Sequence, residues 1–246
     1  MLTTQTCLVT GSSRGIGRGI ALDLASHGAT VVVNYRSSEA EAATVVEEIE
    51  ANGGTAISMQ CDVSDYDEVA AMCERVHDRV GPIDVLVNNA GITVDKTFTN
   101  MTREDWDAVM DVNLGGVFNS TNCFFDDLLD AEHGRLINIS SVVGQQGNYG
   151  QANYATTKSG LFGFTRTIAL EMARSGSTAN CVAPGFVKTD MLDIVPSEVQ
   201  EKILGRIPLG RFASVEDITG MVSYVASPKS AYMTGQVLSV NGGMDW

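Results

Sequence analysis

The sequence predicts an α/β fold: a single domain over residues 1–246, built on one doubly wound, seven-stranded parallel sheet flanked by helices. Three observations lead to that expectation. Seven short apolar runs rich in β-branched residues recur along the chain. Helix-like stretches with polar starts and glycine stops lie between them. No linker, repeat, low-complexity tract or break in composition divides the chain. Strand and helix alternating over the whole length is the pattern of parallel strands joined by crossover helices.

The strands fall, in order, at 6–10 (TCLVT), 30–35 (TVVVNY), 55–60 (TAISMQ), 83–90 (IDVLVNNA), 134–140 (GRLINIS), 178–183 (TANCVA) and 236–242 (QVLSVNG). Each is short and too continuously apolar to keep one face in water, so burial on both faces is expected. The helical patterns include 15–28 (GIGRGIALDLASHG), which stops at Gly28, and 37–54, which starts at serine and stops at glycine. A third, 102–125, begins at Thr102 with Glu104 and Asp105 in its first turn, where carboxylates favour a helix N-terminus.

Composition narrows the function. The chain is 44% hydrophobic, which permits a large core. No run reaches the roughly 18 apolar residues of a membrane span, and no signal peptide is read at the N-terminus, so a cytoplasmic protein with no membrane role is expected. The five cysteines, at 7, 61, 73, 123 and 181, sit mostly in apolar runs without a C-x-x-C and read as buried reduced thiols. The three histidines, His27, His77 and His133, have no ligand spacing, so no metal is expected. Thirty acids against 16 bases give a net charge of −14, a surface that excludes nucleic acid as a partner. With only five lysines among those bases, the surface also suits a halophilic, high-salt habitat.

The chemistry begins at the first strand-to-helix turn, TGSSRGIG. Gly11, Gly15 and Gly17 let the backbone approach a pyrophosphate, with Ser13, Arg14 and Ile16 in the same loop, and the helix N-terminus offers free N–H groups and a positive dipole end. This is the dinucleotide site of a Rossmann fold. The same residues also match the G-x-S-x-G elbow of serine hydrolases around Ser13. That elbow needs earlier strands and a later histidine, and the last histidine is His133. The second strand ends in Asn34, Tyr35 and Arg36, with no acid to hold a ribose 2′-hydroxyl. Arg36 and Arg14 suit a 2′-phosphate instead, so the cofactor expected is NADPH.

The segment 140–160, SSVVGQQGNYGQANYATTKSG, holds the second constellation. Tyr154 and Lys158 are four residues apart and share one helix face. A free phenol titrates near pH 10, and a neighbouring ammonium favours its ionised form, so the pair is an acid–base device without histidine. Ser140 or Ser141, ending the fifth strand at the carboxyl edge of the sheet, is placed to hold a carbonyl oxygen while hydride reaches the carbon.

TGSSRGIG, CDVSD, VNNAG, the asparagine of VMDVNLGG, SSVVG, YATTK, APGFVKTD and the terminal VNGG stand in one order over about residues 5 to 244. In this the chain resembles the short-chain dehydrogenase/reductase family. The resemblance implies Tyr154 as proton donor, Lys158 as the residue that lowers its pKa and holds the nicotinamide ribose, Ser141 rather than Ser140 as the catalytic serine, and Asn113 as holder of a relay water. It implies adenine contacts at Asp62 and Val63, a central cofactor loop at Asn89, Ala90 and Gly91, and a nicotinamide clamp at Pro184, Gly185, Val187 and Thr189. Substrate contacts are implied at Ser141, Gln151, Tyr154 and Met191, beneath a lid at about 189–208 that carries Met191, Leu192, Ile194, Val195 and Ile203.

Within the family, GITVDKTFTNMTREDWDAVMDVN and IPLGRFASVEDI resemble 3-oxoacyl thioester reductases. One kind acts on acyl carrier protein in fatty-acid synthesis; the other reduces acetoacetyl-CoA for polyhydroxyalkanoate synthesis. Asp126, Asp127, Asp130 and Glu132 stand where carrier-protein reductases place bases, and would repel an acidic carrier, so a CoA thioester is the expected partner. A dehydrogenase of another small alcohol and a non-catalytic binding relative remain as other readings. The resemblance also implies a homotetramer built through helices around 102–130 and 151–175, with Leu161, Phe162 and Phe164 serving either a dimer face or their own core.

Overall fold

Each of the seven apolar runs is a strand in the computed structural model, which describes residues 2–189 and 196–245. They are β1 (Thr6–Val9), β2 (Thr30–Tyr35), β3 (Thr55–Gln60), β4 (Val85–Asn88), β5 (Arg135–Ile139), β6 (Thr178–Pro184) and β7 (Val237–Val240). All pair in parallel in one sheet of order β3-β2-β1-β4-β5-β6-β7. Among the described residues no helix is long and apolar enough to cross a membrane.

Burial on both faces explains the strand sequences. Cys7 and Val9 enter one apolar cluster with Ile20 and Leu24 of α1 (Gly15–Ser26), Val45 and Ile49 of α2 (Glu39–Ala51), and Ile218 and Val222 of a helix near the C-terminus. Leu8, between them, points the other way. It joins Met72 and Val76 of α3 (Tyr66–Val80) and residues of the helices that follow β4. Helices therefore cover both faces, and a period-2 strand needs apolar residues at every position.

The segment expected as one helix over 102–125 is divided. It forms α4 (Arg103–Met110), a π-helical turn over Asp111–Gly115, and α5 (Gly116–Cys123), and a further helix, α6 (Phe125–Asp130), follows. Tertiary contacts set the wide turn. A Cβ at Gly116 would lie 2.7 Å from Val63 Cγ2, so α5 approaches the β3 side closely, while the Asn113 side chain bonds the backbone of Ile92 across the turn. After β5 come α7 (Val142–Gln146) and α8 (Ala152–Met172), and after β6 come α9 (Ser197–Leu204) and α10 (Val215–Ala226). Of the residues offered to a dimer face, Leu161 is fully buried and Phe162 and Phe164 pack beside it against Val117 and Cys181 of the same chain.

The sheet order reverses at β1, with β2 on one side and β4 on the other. Ligands of open α/β sheets bind at the carboxyl ends of the strands where the order reverses. The loops after β1 and β4 meet there: Thr10 N–H donates to Val87 O at 3.0 Å, and a Cβ on Gly11 would lie 2.9 Å from Ala90 Cα.

Candidate active site

The glycine loop is shaped by its neighbours before any ligand arrives. Gly11 and Gly15 hold φ of 60° and 57°, a conformation that favours glycine. A Cβ on Gly17 would meet Gly11 O at 2.5 Å and Asn89 Nδ2 at 2.4 Å. Thr10 Oγ1 accepts from both Asn89 N and Ala90 N at 3.0 Å, and Asn89 Nδ2 donates to Thr10 O (2.9 Å) and Gly11 O (3.0 Å). Sequence reasoning did not single out Thr10; its signal was its place at the end of β1 beside the glycines. Ser13 is buried, Arg14 is exposed at the loop tip, and Ile16 packs partly against the core.

Side chains cap some helix starts and leave others open. Asp65, Thr102 and Ser214 cap α3, α4 and α10 with their side chains. Arg14 gives α1 no side-chain cap, and no acid stands in its first turn. An uncapped N-terminus behind a loop without side-chain bulk fits a dinucleotide pyrophosphate. The residues of this chain that fit it are Gly11, Ser13, Gly15, Ile16 and Gly17.

At the tip of β2 the three residues part company. Asn34 is 1% exposed and lies beneath the loop: its Oδ1 accepts from Gly11 N at 3.1 Å and its Nδ2 donates to Cys61 O at 3.2 Å. Tyr35 turns into the core. Arg36 is exposed, with Nη1 3.7 Å from Asp62 Oδ2. Asp62 Oδ1 also accepts from Ser64 N and Oγ, and Val63 is buried beside it. Arg14 and Arg36 are thus exposed bases at this rim, with Arg36 already paired to Asp62.

Tyr154, Lys158, Ser141 and Asn113 converge from three elements: α8, the start of α7 and the π turn. Ser141 ends the β5 loop and caps α7, where its Oγ accepts from Val143 N at 3.1 Å. Its side chain bears on the Tyr154 hydroxyl, lowering the phenol's pKa. Ser140 is engaged elsewhere, donating to Lys158 O at 2.7 Å. Lys158 is 4% exposed, donates to Ile139 O at 2.8 Å, and places Nζ 5.6 Å from the centre of the Tyr154 ring. Asn113 is fully buried in the π turn; its Oδ1 accepts from Ile92 N (2.8 Å), and its Nδ2 donates to Ile92 O (3.0 Å) and Thr157 Oγ1 (3.2 Å). A Cβ on Gly91 would lie 3.3 Å from Asn113 Oδ1 and 3.5 Å from Lys158 Nζ, so the loop after β4 closes over this group.

The electrostatics differ from the sequence expectation that the ammonium makes the phenol acidic. Burial pushes Tyr154 up to about 12; the Ser141 side chain works the other way, and the Asp95 carboxylate adds to the rise. Burial pulls Lys158 down to about 8. Desolvation wins because the lysine, itself losing charge, stands beside the ring rather than at the hydroxyl. In the chain alone the phenol is a protonated donor.

The remaining contacts lie at the rim. Gly185, after Pro184 at the end of β6, allows no side chain: a Cβ would fall 2.8 Å from Asn241 Cα. Val187 bridges to Ala213, and Thr189 Cγ2 lies 3.9 Å from a Cβ built on Gly15, which brings this segment to the glycine loop. Gln151 caps α8 three residues before Tyr154; its Nε2 donates to both oxygens of Asp95 (3.0 and 2.9 Å) and its Oε1 accepts from Asn148. Asp95 was not singled out in sequence. Met191, Leu192, Ile194 and Val195 lie outside the described residues; Ile203, on α9, is half-buried.

A family model described as Enoyl-(Acyl carrier protein) reductase matches residues 11–245. The 3-oxoacyl-acyl-carrier-protein reductase FabG of Staphylococcus aureus (strain Mu50) is 50% identical over 244 residues, covering 99% of this chain and 99% of the relative. The 3-oxoacyl-acyl-carrier-protein reductase of Synechocystis sp. is also 50% identical over 244 residues, with 99% and 98% covered. The FabG of Staphylococcus epidermidis (strain RP62A) is 47% identical over 240 residues, 98% of each chain.

Proposed function

Because the chain belongs to the short-chain dehydrogenase/reductase family, we propose that it uses NADPH to reduce a 3-oxoacyl thioester, carried on acyl carrier protein, to the 3-hydroxyacyl thioester. The observation that carries the chemistry is Ser141 acting on the Tyr154 hydroxyl with Lys158 buried beside the ring, at the carboxyl ends of the parallel strands. A nicotinamide cofactor, when bound, supplies the hydride. Ser141 orients the substrate carbonyl oxygen. Tyr154, protonated at neutral pH, gives its proton to the oxygen as negative charge develops there. Lys158 restrains the tyrosine and the ribose side of the site, and Asn113 fixes the loop at Ile92 against α8 through Thr157. Exposed Arg14 and Arg36 support the preference for a 2′-phosphate.

The carrier follows from the relatives named above, 3-oxoacyl-acyl-carrier-protein reductases at about half identity over nearly the whole chain. Acetoacetyl-CoA remains the second reading because Asp126, Asp130 and Glu132 are exposed. Asp127 no longer counts toward that argument: its Oδ2 is held by His77 Nε2 at 2.8 Å and Ile83 N at 3.0 Å. A homotetramer is supported by Phe118 on α5 and Leu170 on α8, which are 53% and 80% exposed.

Initial rates decide. Expected are a higher kcat/KM for the carrier thioester than for acetoacetyl-CoA and for NADPH than for NADH, and a loss of about a hundredfold or more in Tyr154→Phe with cofactor binding intact. Higher kcat/KM for acetoacetyl-CoA moves the chain to the second reading. Near-normal turnover of Tyr154→Phe removes the proton-donor role.

A further inference from the structure

Away from this site, where α3 packs against the helices that follow β4, two thiols and a histidine–carboxylate pair come together. Cys73 lies on α3 and Cys123 ends α5, and each thiol bears on the other's ionisation. Cys73 Sγ is 3.5 Å from Cys123 O, and Cys123 Sγ is 3.8 Å from Val69 O, one turn before Cys73 on α3. His77, the next turn of α3, places Nδ1 4.0 Å and Nε2 3.9 Å from Cys73 Sγ. Its Nε2 is 2.8 Å from Asp127 Oδ2, and its ring packs edge-on against Phe124 with centroids 6.0 Å apart. The His77 side chain is 40% exposed and Cys123 is half-buried, so the group opens to solvent; Cys7 and Cys181 are sealed in the core. Nothing in the reductase chemistry engages any of these four side chains.

We propose that Cys73 and Cys123 are a redox-active dithiol that hydrogen peroxide closes to a disulfide joining α3 to α5. The structure divides the labour. Cys123 is the more exposed thiol, so it meets the oxidant. Its sulfur attacks one peroxide oxygen: the S–O bond forms, the O–O bond breaks, and the departing hydroxide leaves as water with the thiol proton. Cys123 is then a sulfenic acid. Cys73 resolves it. With Nε2–H donated to Asp127, His77 keeps its Nδ1 lone pair for the Cys73 proton. The Cys73 sulfur attacks the Cys123 sulfur, the S–S bond forms as S–O breaks, and hydroxide takes the proton from His77 as a second water. Two thiols and one peroxide become one disulfide and two waters. Burial pushes both thiols up, so each must give its proton to a base before it attacks, and His77 is the base within reach of Cys73.

The test is thiol mapping of the intact chain after hydrogen peroxide. Expected are three titratable thiols in place of five in the denatured chain, a peptide pair joining Cys73 to Cys123 two hydrogens lighter than its parts, and recovery with dithiothreitol. Cys73→Ser and Cys123→Ser each abolish the bridged pair, and His77→Gln slows closure about tenfold or more. Five surviving thiols, a bridge to Cys61, or oxidation of Cys123 to sulfinic acid without a bridge overturns the proposal. So does closure at the wild-type rate in His77→Gln, for the base. Mapping of the wild-type chain decides the pairing even where a variant does not fold.

Discussion

The ammonium of Lys158 is 4% exposed with the Ile139 carbonyl as its acceptor, and burial takes its pKa from 10.5 to about 8. A group whose folded pKa is depressed disfavours its charged form in the folded chain. The penalty is present in full below pH 8 and fades as pH rises through 10.5, where the unfolded chain also loses the proton. Its size is on the order of 3 kcal/mol at pH 7. Lys158→Met, which keeps the stem and removes the charge, is expected to raise unfolding stability at pH 7 by about 2 kcal/mol, with the gain shrinking between pH 8 and pH 10.5, while turnover falls. Denaturant titrations of both chains at pH 7 and pH 10 measure it; a variant less stable than wild type at pH 7 refutes the cost assigned to the lysine. Tyr154 titrates the other way. Its folded pKa is raised to about 12, so its contribution is complete below pH 10 and is lost as pH climbs through 12. Neutral pH therefore finds a protonated phenol and a weakened ammonium. A reductase needs a proton in hand at the tyrosine, and the pair as buried supplies that without any acid from the solvent.

The opening of α1 shows the same economy in an element. Four other helices, α3, α4, α7 and α10, carry side-chain caps worth about 1 kcal/mol each, and α1 leaves its first N–H groups to the loop before it. Gly17→Ala tests what that geometry serves. The added methyl meets Gly11 O and Asn89 Nδ2 inside 2.6 Å, so the loop after β1 must lift from the loop after β4. The expected result is a Kd for NADPH weakened about tenfold or more, with secondary structure retained, read by cofactor fluorescence; unchanged Kd means the close packing is not part of the cofactor cradle. Most elements were legible in the sequence for a physical reason. β1 to β7 are buried on both faces, so their apolar runs are unbroken and short. The N-termini of α3 and α10 were equally legible, with Asp65 before Gly81 and Ser214 before Asp217, though neither helix was assigned from sequence. The π turn at Asp111–Gly115 was not legible, because it depends on Val63 pressing on Gly116 and on Asn113 reaching Ile92, contacts between segments far apart in sequence. Asn34 was placed at the ligand by its position at the strand tip; the pleat of β2 turns its amide beneath Gly11, so it braces the loop from behind. Tyr154 and Lys158 were read because their spacing is local to one stretch, and the resemblance singled out Ser141 from Ser140, whereas Asp95, which bears on Tyr154 through space and holds Gln151, had no local signature.

Charge acts on the molecule as a whole. A net charge of −14 on 246 residues gives long-range repulsion toward any acidic macromolecule, and an acyl carrier protein is the partner the proposed function requires. Exposed Asp126, Asp130 and Glu132 add to that field near the start of β5. Repulsion of this kind acts over a Debye length, about 10 Å at 0.1 M salt and about 3 Å at 1 M. It slows encounter more than it weakens a formed complex. The expected behaviour is therefore a kcat/KM for the carrier thioester that rises several-fold between 0.05 and 1 M salt, carried by KM with kcat nearly constant. A CoA thioester, smaller and bound within the cleft, should respond less. Charge reversal at the exposed acids, as Asp126→Lys with Asp130→Lys, should raise the low-salt value for the carrier and flatten its salt dependence. A carrier rate that falls with salt would mean that a local basic surface governs docking and that the global field is irrelevant to it.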